Sequence, residues 1–330
     1  MRALTPRAYL PALALLLLVA IPFVTADAVL LNILILIFLF ATLGEAWNIL
    51  GGYGGQLSLG HATYFGLGAY VSTLLLVDFG ISPWLGALAG AAAAMALSLV
   101  LGISCFRLRG PYFAIATIGV AEIMRLVVID LPDVTQGARG VTLPFVGQSW
   151  ALLQFRGKTE YYYLALGLML ATVAATVLVA RSALGYRLRA IGQSEDAAGA
   201  LGHDPAWTKQ MANFVSAFFT AIAGTFYAQY FYYIEPNTVF GISLSIQIAL
   251  VAIIGGVGTV WGPVLGAFIL QPVAQLTQVF LGASRFGGLQ LLVYGVLLVA
   301  VILVQPRGVI GLARRVYGAA CGRLPWWPRG

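Results

Sequence analysis

The chain is written in long apolar runs of similar length, separated by short polar stretches. A helix needs about 20 mostly apolar residues to cross a bilayer. Runs near that length fall at 9–25, 28–49, 57–77, 83–105, 111–130, 161–180, 210–233, 242–256, 260–281 and 287–304. They predict an all-α, polytopic membrane helical bundle of about ten spans (eight to ten). Glycine interrupts the third and eighth, which predicts broken or re-entrant helices there. Such backbone is tolerated at membrane depth only inside protein or beside a water-filled cavity.

Composition strengthens that reading. Of 330 residues 61% are hydrophobic and 9% charged, against roughly 25% charged in a soluble domain. The net charge of +7 does not gather on a soluble face, so nucleic acid is excluded as a partner and membrane lipid is the surrounding medium. With ten spans and an inside N-terminus, one side holds Arg2, Arg7, Arg107, Arg109, Arg181, Arg187, Arg189, Lys209, Arg307, Arg314, Arg315, Arg323 and Arg329. The other holds Arg139, Arg156, Lys158 and Arg285, and Arg125 falls within a span. By the positive-inside rule both termini are cytoplasmic. The N-terminus also fits a secretory signal peptide, with Arg2, Arg7, the run Leu10–Val24 and the site Ala26-Asp27-Ala28. The run is long for a signal core, and cleavage would leave the other spans oriented as before.

Several chemistries are weakly represented. Cys105 and Cys321 give neither a disulfide framework nor a Cys-x-x-Cys site, and His61 and His203 lie far apart, so no metal centre is expected. "FRGKTE" (Phe155–Glu160) holds the Gly-Lys-Thr of a phosphate loop, but Leu152 stands where the motif needs glycine. Gly66-x-Gly68 lacks its third glycine, since Val71 is there. No cofactor is expected on this chain, and any ATP belongs to a partner subunit.

Four segments carry the remaining signal. In "AWNILGGYGGQLSLGHATYFGLGAY" (Ala46–Tyr70), glycines 51, 52, 54 and 55 break a helix before Gln56, Ser58, His61 and Thr63. Polar side chains at membrane depth face partner helices or a cavity, so this stretch reads either as a wall of a translocation path or as close helix packing. "RGPYFAIATIGVAEIMRL" (Arg109–Leu126) starts a helix at Pro111. It sets Glu122 and Arg125 three apart, as an intramembrane ion pair or a gating element. "GGVGTVWGPVLGAF" (Gly255–Phe268) places Gly258, Gly262 and Gly266 as a small-residue stripe along a helix. Gly255, Gly256 and Gly258 are candidates for the facing wall of a path.

"SEDAAGALGHD" (Ser194–Asp204) is the fourth. Ser194 is an N-cap, Glu195 and Asp196 are first-turn acids, Gly202 ends the helix and Pro205 prevents continuation. A helix from Glu195 to Leu201, with Ala197, Ala198 and Leu201 on or near one face, is too short to stand alone in water.

Together Ala46–Tyr70, Arg109–Leu126, Ser194–Ala228 and Ile253–Leu270 resemble the membrane permease of branched-chain amino acid ABC importers, in its LivM-type form. The resemblance runs from the second span to "PRGVIGL" (Pro306–Leu312). It implies a permease domain over 1–312 with a cytoplasmic coupling loop at 181–209, and a short basic tail at 313–330. It also implies a second, LivH-type permease, two cytoplasmic ATP-binding subunits, an external solute-binding protein and a bacterial inner membrane. The family's "EAA"-like coupling helix corresponds to Ser194, Glu195, Asp196, Ala197, Ala198, Gly199, Ala200, Leu201 and Gly202. One departure is "TQGARG" (Thr135–Gly140), where the family usually has "TGG-x-x-G". It leaves the substrate open, because similar permeases serve urea, short amides and aromatic acids.

Two other function classes compete. An ion-coupled carrier needs acidic groups in its spans, and Glu45 and Glu122 are the main candidates. An intramembrane enzyme would rest on Ser58 and His61, with no third orienting group in sequence reach.

Overall fold

The computed structural model describes residues 6–25, 27–108, 110–281, 295, 296, 299 and 308–311. The tenth apolar run at 287–304 lies almost wholly outside these residues, and so do Arg109 and the basic tail at 313–330.

The helices follow the apolar runs closely. In chain order they are α1 (Pro6–Val24), α2 (Ala28–Gly51), α3 (His61–Phe79), α4 (Pro83–Cys105), α5 (Pro111–Ile129), α6 (Pro132–Thr135), α7 (Lys158–Arg181), α8 (Ala183–Gln193), α9 (Glu195–Ala200), α10 (Pro205–Phe231), α11 (Pro236–Val239), α12 (Ile242–Gly255) and α13 (Gly262–Leu281). Seven of the described helical segments are long and apolar enough to cross a membrane: α2, α3, α4, α5, α7, α10 and the α11–α12 stretch. The protein is a polytopic all-α membrane bundle with one small departure. Strand β1 (Val141–Thr142) pairs antiparallel with β2 (Tyr233–Ile234), tying the α5–α7 connection to the end of α10.

Start signals sit where the backbone needs them. Asp27 caps α2 through Val29 N, Ser194 caps α9 through Ala197 N and Asp204 caps α10 through Trp207 N. Proline opens α4, α5 and α10, where its missing N–H is no loss.

α2 is the most enclosed span, packed among α7, α10, α12 and α13. A second group joins α3, α4 and α10. There the backbones nearly touch: a Cβ on Gly68 would lie 1.9 Å from Ala221 O, and one on Gly224 would lie 2.0 Å from Phe65 O. With no hydrophobic drive between helices in lipid, such close approach and cross-helix hydrogen bonds are what hold them. Thr225 Oγ1 supplies one, donating to Gly68 O at 3.0 Å.

Two sequence boundaries shift. The third span begins at His61, not residue 57, because the chain from Gly52 to Gly60 runs without helix. The stripe Gly258-Gly262-Gly266 does not lie along one helix. Gly258 sits in the turn before α13 at φ +71°, and only Gly262 and Gly266 are helical. The conformation at 258 is the left-handed one that glycine adopts freely, so that glycine serves the turn.

Candidate functional site

The break between α2 and α3 is a buried polar region crossed by several hydrogen bonds. Gln56, Ser58, His61 and Thr63 are all buried. His61 Nδ1 lies 3.1 Å from Ser58 Oγ and Nε2 lies 2.8 Å from Ser216 Oγ, so the imidazole bridges the break to α10. Trp47 Nε1 donates to Ser58 O at 2.7 Å. Leu59 N donates to Thr117 Oγ1 of α5 at 3.1 Å, and Ala62 N to Ser245 Oγ of α12 at 3.0 Å. One turn on, Tyr64 and Asn213 share contacts of 3.2 and 3.0 Å.

Each of these bonds closes a buried donor or acceptor that would otherwise cost free energy in a lipid-like interior. A hydrolytic reading of Ser58 and His61 finds Ser216 as the third group, a hydroxyl and not an acid, in a fully enclosed setting. The geometry does cross-helix positioning.

The turn from Gly255 to Gly262 faces the end of α2. Asn48 Oδ1 accepts from Gly258 N at 2.8 Å while its Nδ2 donates to Thr259 O at 2.9 Å. Gly255 and Gly256 are buried, and Gly258 is partly open. Sequence reasoning missed Asn48, Asn213, Ser216 and Ser245. Each hydrogen-bonds to a group on another helix or loop that lies far along the chain, and the spacing of polar residues on its own span does not name that partner.

Glu122 and Arg125 form the expected pair. Arg125 Nη2 lies 2.5 Å from Glu122 Oε1 and Nε lies 3.0 Å from Oε2, a two-pronged contact. A third contact was not foreseen: Arg125 Nη1 donates to Asn237 Oδ1 of α11 at 2.7 Å. The pair is not enclosed, with the Glu122 side chain 51% exposed. It belongs to an outward stripe on α5 that also carries Ile115, Gly119 and Leu126, and a Cβ on Gly119 would meet nothing within 4 Å. Glu45 is the opposite case. It is fully enclosed in α2 beside Thr176, with neither oxygen in an aligned hydrogen bond.

At the end of the bundle where α7 stops, α8 and α9 form a small polar module. Ser194, Glu195, Asp196, Ala197, Gly199, Ala200, Leu201 and Gly202 reach the surface in part or whole, whereas Ala198 is buried. Gly202 ends the helix at φ +85°. The face expected from Ala197, Ala198 and Leu201 is split: Ala198 packs inward, and Leu201 is 77% exposed.

Long apolar helices joined by cross-helix polar clamps, with a short capped helix at one end, define a polytopic integral membrane protein. Among the described residues no cluster of His, Cys, Asp or Glu could hold a metal ion. The chain belongs to the family described as branched-chain amino acid transport system / permease component, whose model matches residues 29–302, and it is accordingly a membrane permease, not an enzyme. It is 27% identical to the high-affinity branched-chain amino acid transport system permease protein LivM of Escherichia coli K12, over 91% of this chain and 74% of the relative. LivM of Salmonella typhimurium is 26% identical over 84% of this chain and 68% of its own. LivH of Salmonella typhimurium is 26% identical over 82% of this chain and 91% of its own. No solved structure matches.

Proposed function

We propose that this chain is one of two permease subunits of an ATP-driven importer for branched-chain or chemically related amino acids in a bacterial inner membrane. The relatives' names supply the substrate class and the second, LivH-type permease. In this reading two cytoplasmic subunits bind and hydrolyse ATP, and an external protein delivers the substrate. Both termini and the α8–α9 module face the cytoplasm, in keeping with the basic residues gathered at Arg181, Arg187 and Arg189.

The observation that carries the proposal is α9. It is capped at both ends, turns Ala198 inward, and presents Asp196, Ala197, Ala200 and the apolar Leu201 outward. A six-residue helix is unstable on its own, and an exposed leucine at its tip fits a cleft on a partner. Docking on the ATPase is the role that uses both features.

The path runs along α5. An ion pair on an uncovered face of a span would be costly against lipid, so the stripe with Glu122 and Arg125 turns toward the second permease and the water-filled path between them. The Gln56–Thr63 segment backs that face where Leu59 and Gly60 meet Thr117, and the turn with Gly255, Gly256 and Gly258 closes behind the break.

The test is co-purification of the ATPase with the wild-type permease and with Ala200→Trp/Leu201→Glu, which alters only outward positions. The proposal expects the variant to insert and fold yet lose the ATPase. Undiminished association would reject α9 as the docking helix.

A further inference from the structure

The coupling helix is tied to the transmembrane helices by a charge pair that its sequence gives no reason to expect. Lys209 lies in the second turn of α10 and is completely buried. Its Nζ lies 2.8 Å from Glu195 Oε2 in the first turn of α9, a close charge contact, although no aligned hydrogen bond forms at the ammonium. A buried lysine needs a charged partner, because an uncompensated ammonium away from water is strongly unfavourable. Glu195 is therefore turned toward its own chain.

The same face of α10 then leads into the bundle. Lys209, Asn213 and Ser216 recur at intervals of four and three, one side of a helix. Asn213 meets Tyr64 and Ser216 meets His61, both in the first turn of α3. On the other flank of α9, α8 rests on the break itself. Arg189 lies over the Tyr53 ring at 5.2 Å, and a Cβ on Gly192 would stand 3.1 Å from Tyr53 O. Burial pushes the Tyr53 phenol up to about 12, so it remains a neutral surface for the guanidinium.

We infer that Lys209 is a positioning residue for energy coupling: the Glu195–Lys209 pair is the link through which displacement of α9 moves α10 and, by way of Asn213 and Ser216, the α2–α3 break. The inference rests on the proposal that α9 meets the ATPase.

The experiment uses the whole reconstituted transporter and reads substrate imported per ATP hydrolysed. Lys209→Met keeps the length of the stem and removes the charge. The ATPase should stay bound and hydrolyse ATP, while the ratio falls about fivefold or more, the range of ordinary coupling energies. Lys209→Arg and the exchange Glu195→Lys/Lys209→Glu should return it toward wild type. A merely structural pair would lower yield and thermal stability but leave the ratio of the surviving transporter unchanged. A wild-type ratio in Lys209→Met, or an exchange variant no better than Lys209→Met, overturns the inference. Should Lys209→Met fail to insert, Lys209→Gln carries the same comparison, because it removes the charge, keeps a polar end and leaves α9 unaltered. Failure of the wild-type permease to hold any ATPase would instead sink the docking proposal.

Discussion

Adding one methyl group at Gly68 tests whether backbone contact holds α3 to α10. The new Cβ would stand 1.9 Å from Ala221 O, where ordinary contact begins at 3.4 Å, so the helices must part by about 1.5 Å. Parting also strains the Thr225 bond to Gly68 O and crowds α4, whose Gly90 would carry a Cβ 3.0 Å from Gly68 Cα. Overpacking of this kind costs about 1–3 kcal/mol, and obstruction by backbone places Gly68→Ala at the upper end. Replacing a helical glycine returns about 1 kcal/mol of propensity, which leaves a net loss near 2 kcal/mol. Gly119→Ala supplies the control, since it gains the same propensity in open space. Reversible unfolding in mixed micelles, followed by tryptophan fluorescence, should show Gly68→Ala destabilised and Gly119→Ala equal to or more stable than wild type. Equal stability of the two variants would refute close packing as the force at this crossing.

Asn48→Ala should destabilise the chain by about 1–3 kcal/mol for each stranded group, Gly258 N–H and Thr259 C=O, and proteolysis should find the 256–261 turn more open. Gln136 holds the left-handed conformation at φ +58°, so Gln136→Gly should raise stability by about 1 kcal/mol through relief of that strain; a lowered melting temperature would show that its side chain is needed there. Single cysteines at Gly199 and Ala138 should react with an impermeant thiol reagent from opposite sides of the membrane, Gly199→Cys only from the cytoplasm. Labelling of both from one side would overturn the orientation.

The architecture was largely legible because lipid leaves the chain few options. Every backbone polar group must be satisfied within its own segment, so a run of apolar residues is already a helix. Caps and proline placed the helix starts to within a few residues, as at Ser194 for α9 and Pro111 for α5. The glycines at 51–55 announced a break, but not that the helix would resume only at His61.

Pairing was not legible. Asn48 with Thr259, His61 with Ser216 and Tyr64 with Asn213 join residues 211, 155 and 149 positions apart, and a single polar residue on a span does not name its partner. The short helix α9 shows the same limit. Its caps were readable, while the inward turn of Glu195 depends on Lys209, which the apolar pattern puts in the preceding loop.

The central claim is that ATP energy enters this permease through α9. The most direct measurement is ATP-dependent leucine uptake into proteoliposomes holding the complete transporter, wild type against Leu201→Glu, with permease amount and fold matched. The account predicts that uptake collapses in the variant while the permease remains folded and inserted. Uptake equal to wild type would contradict it, because the helix tip would then have no part in receiving the ATPase's motion.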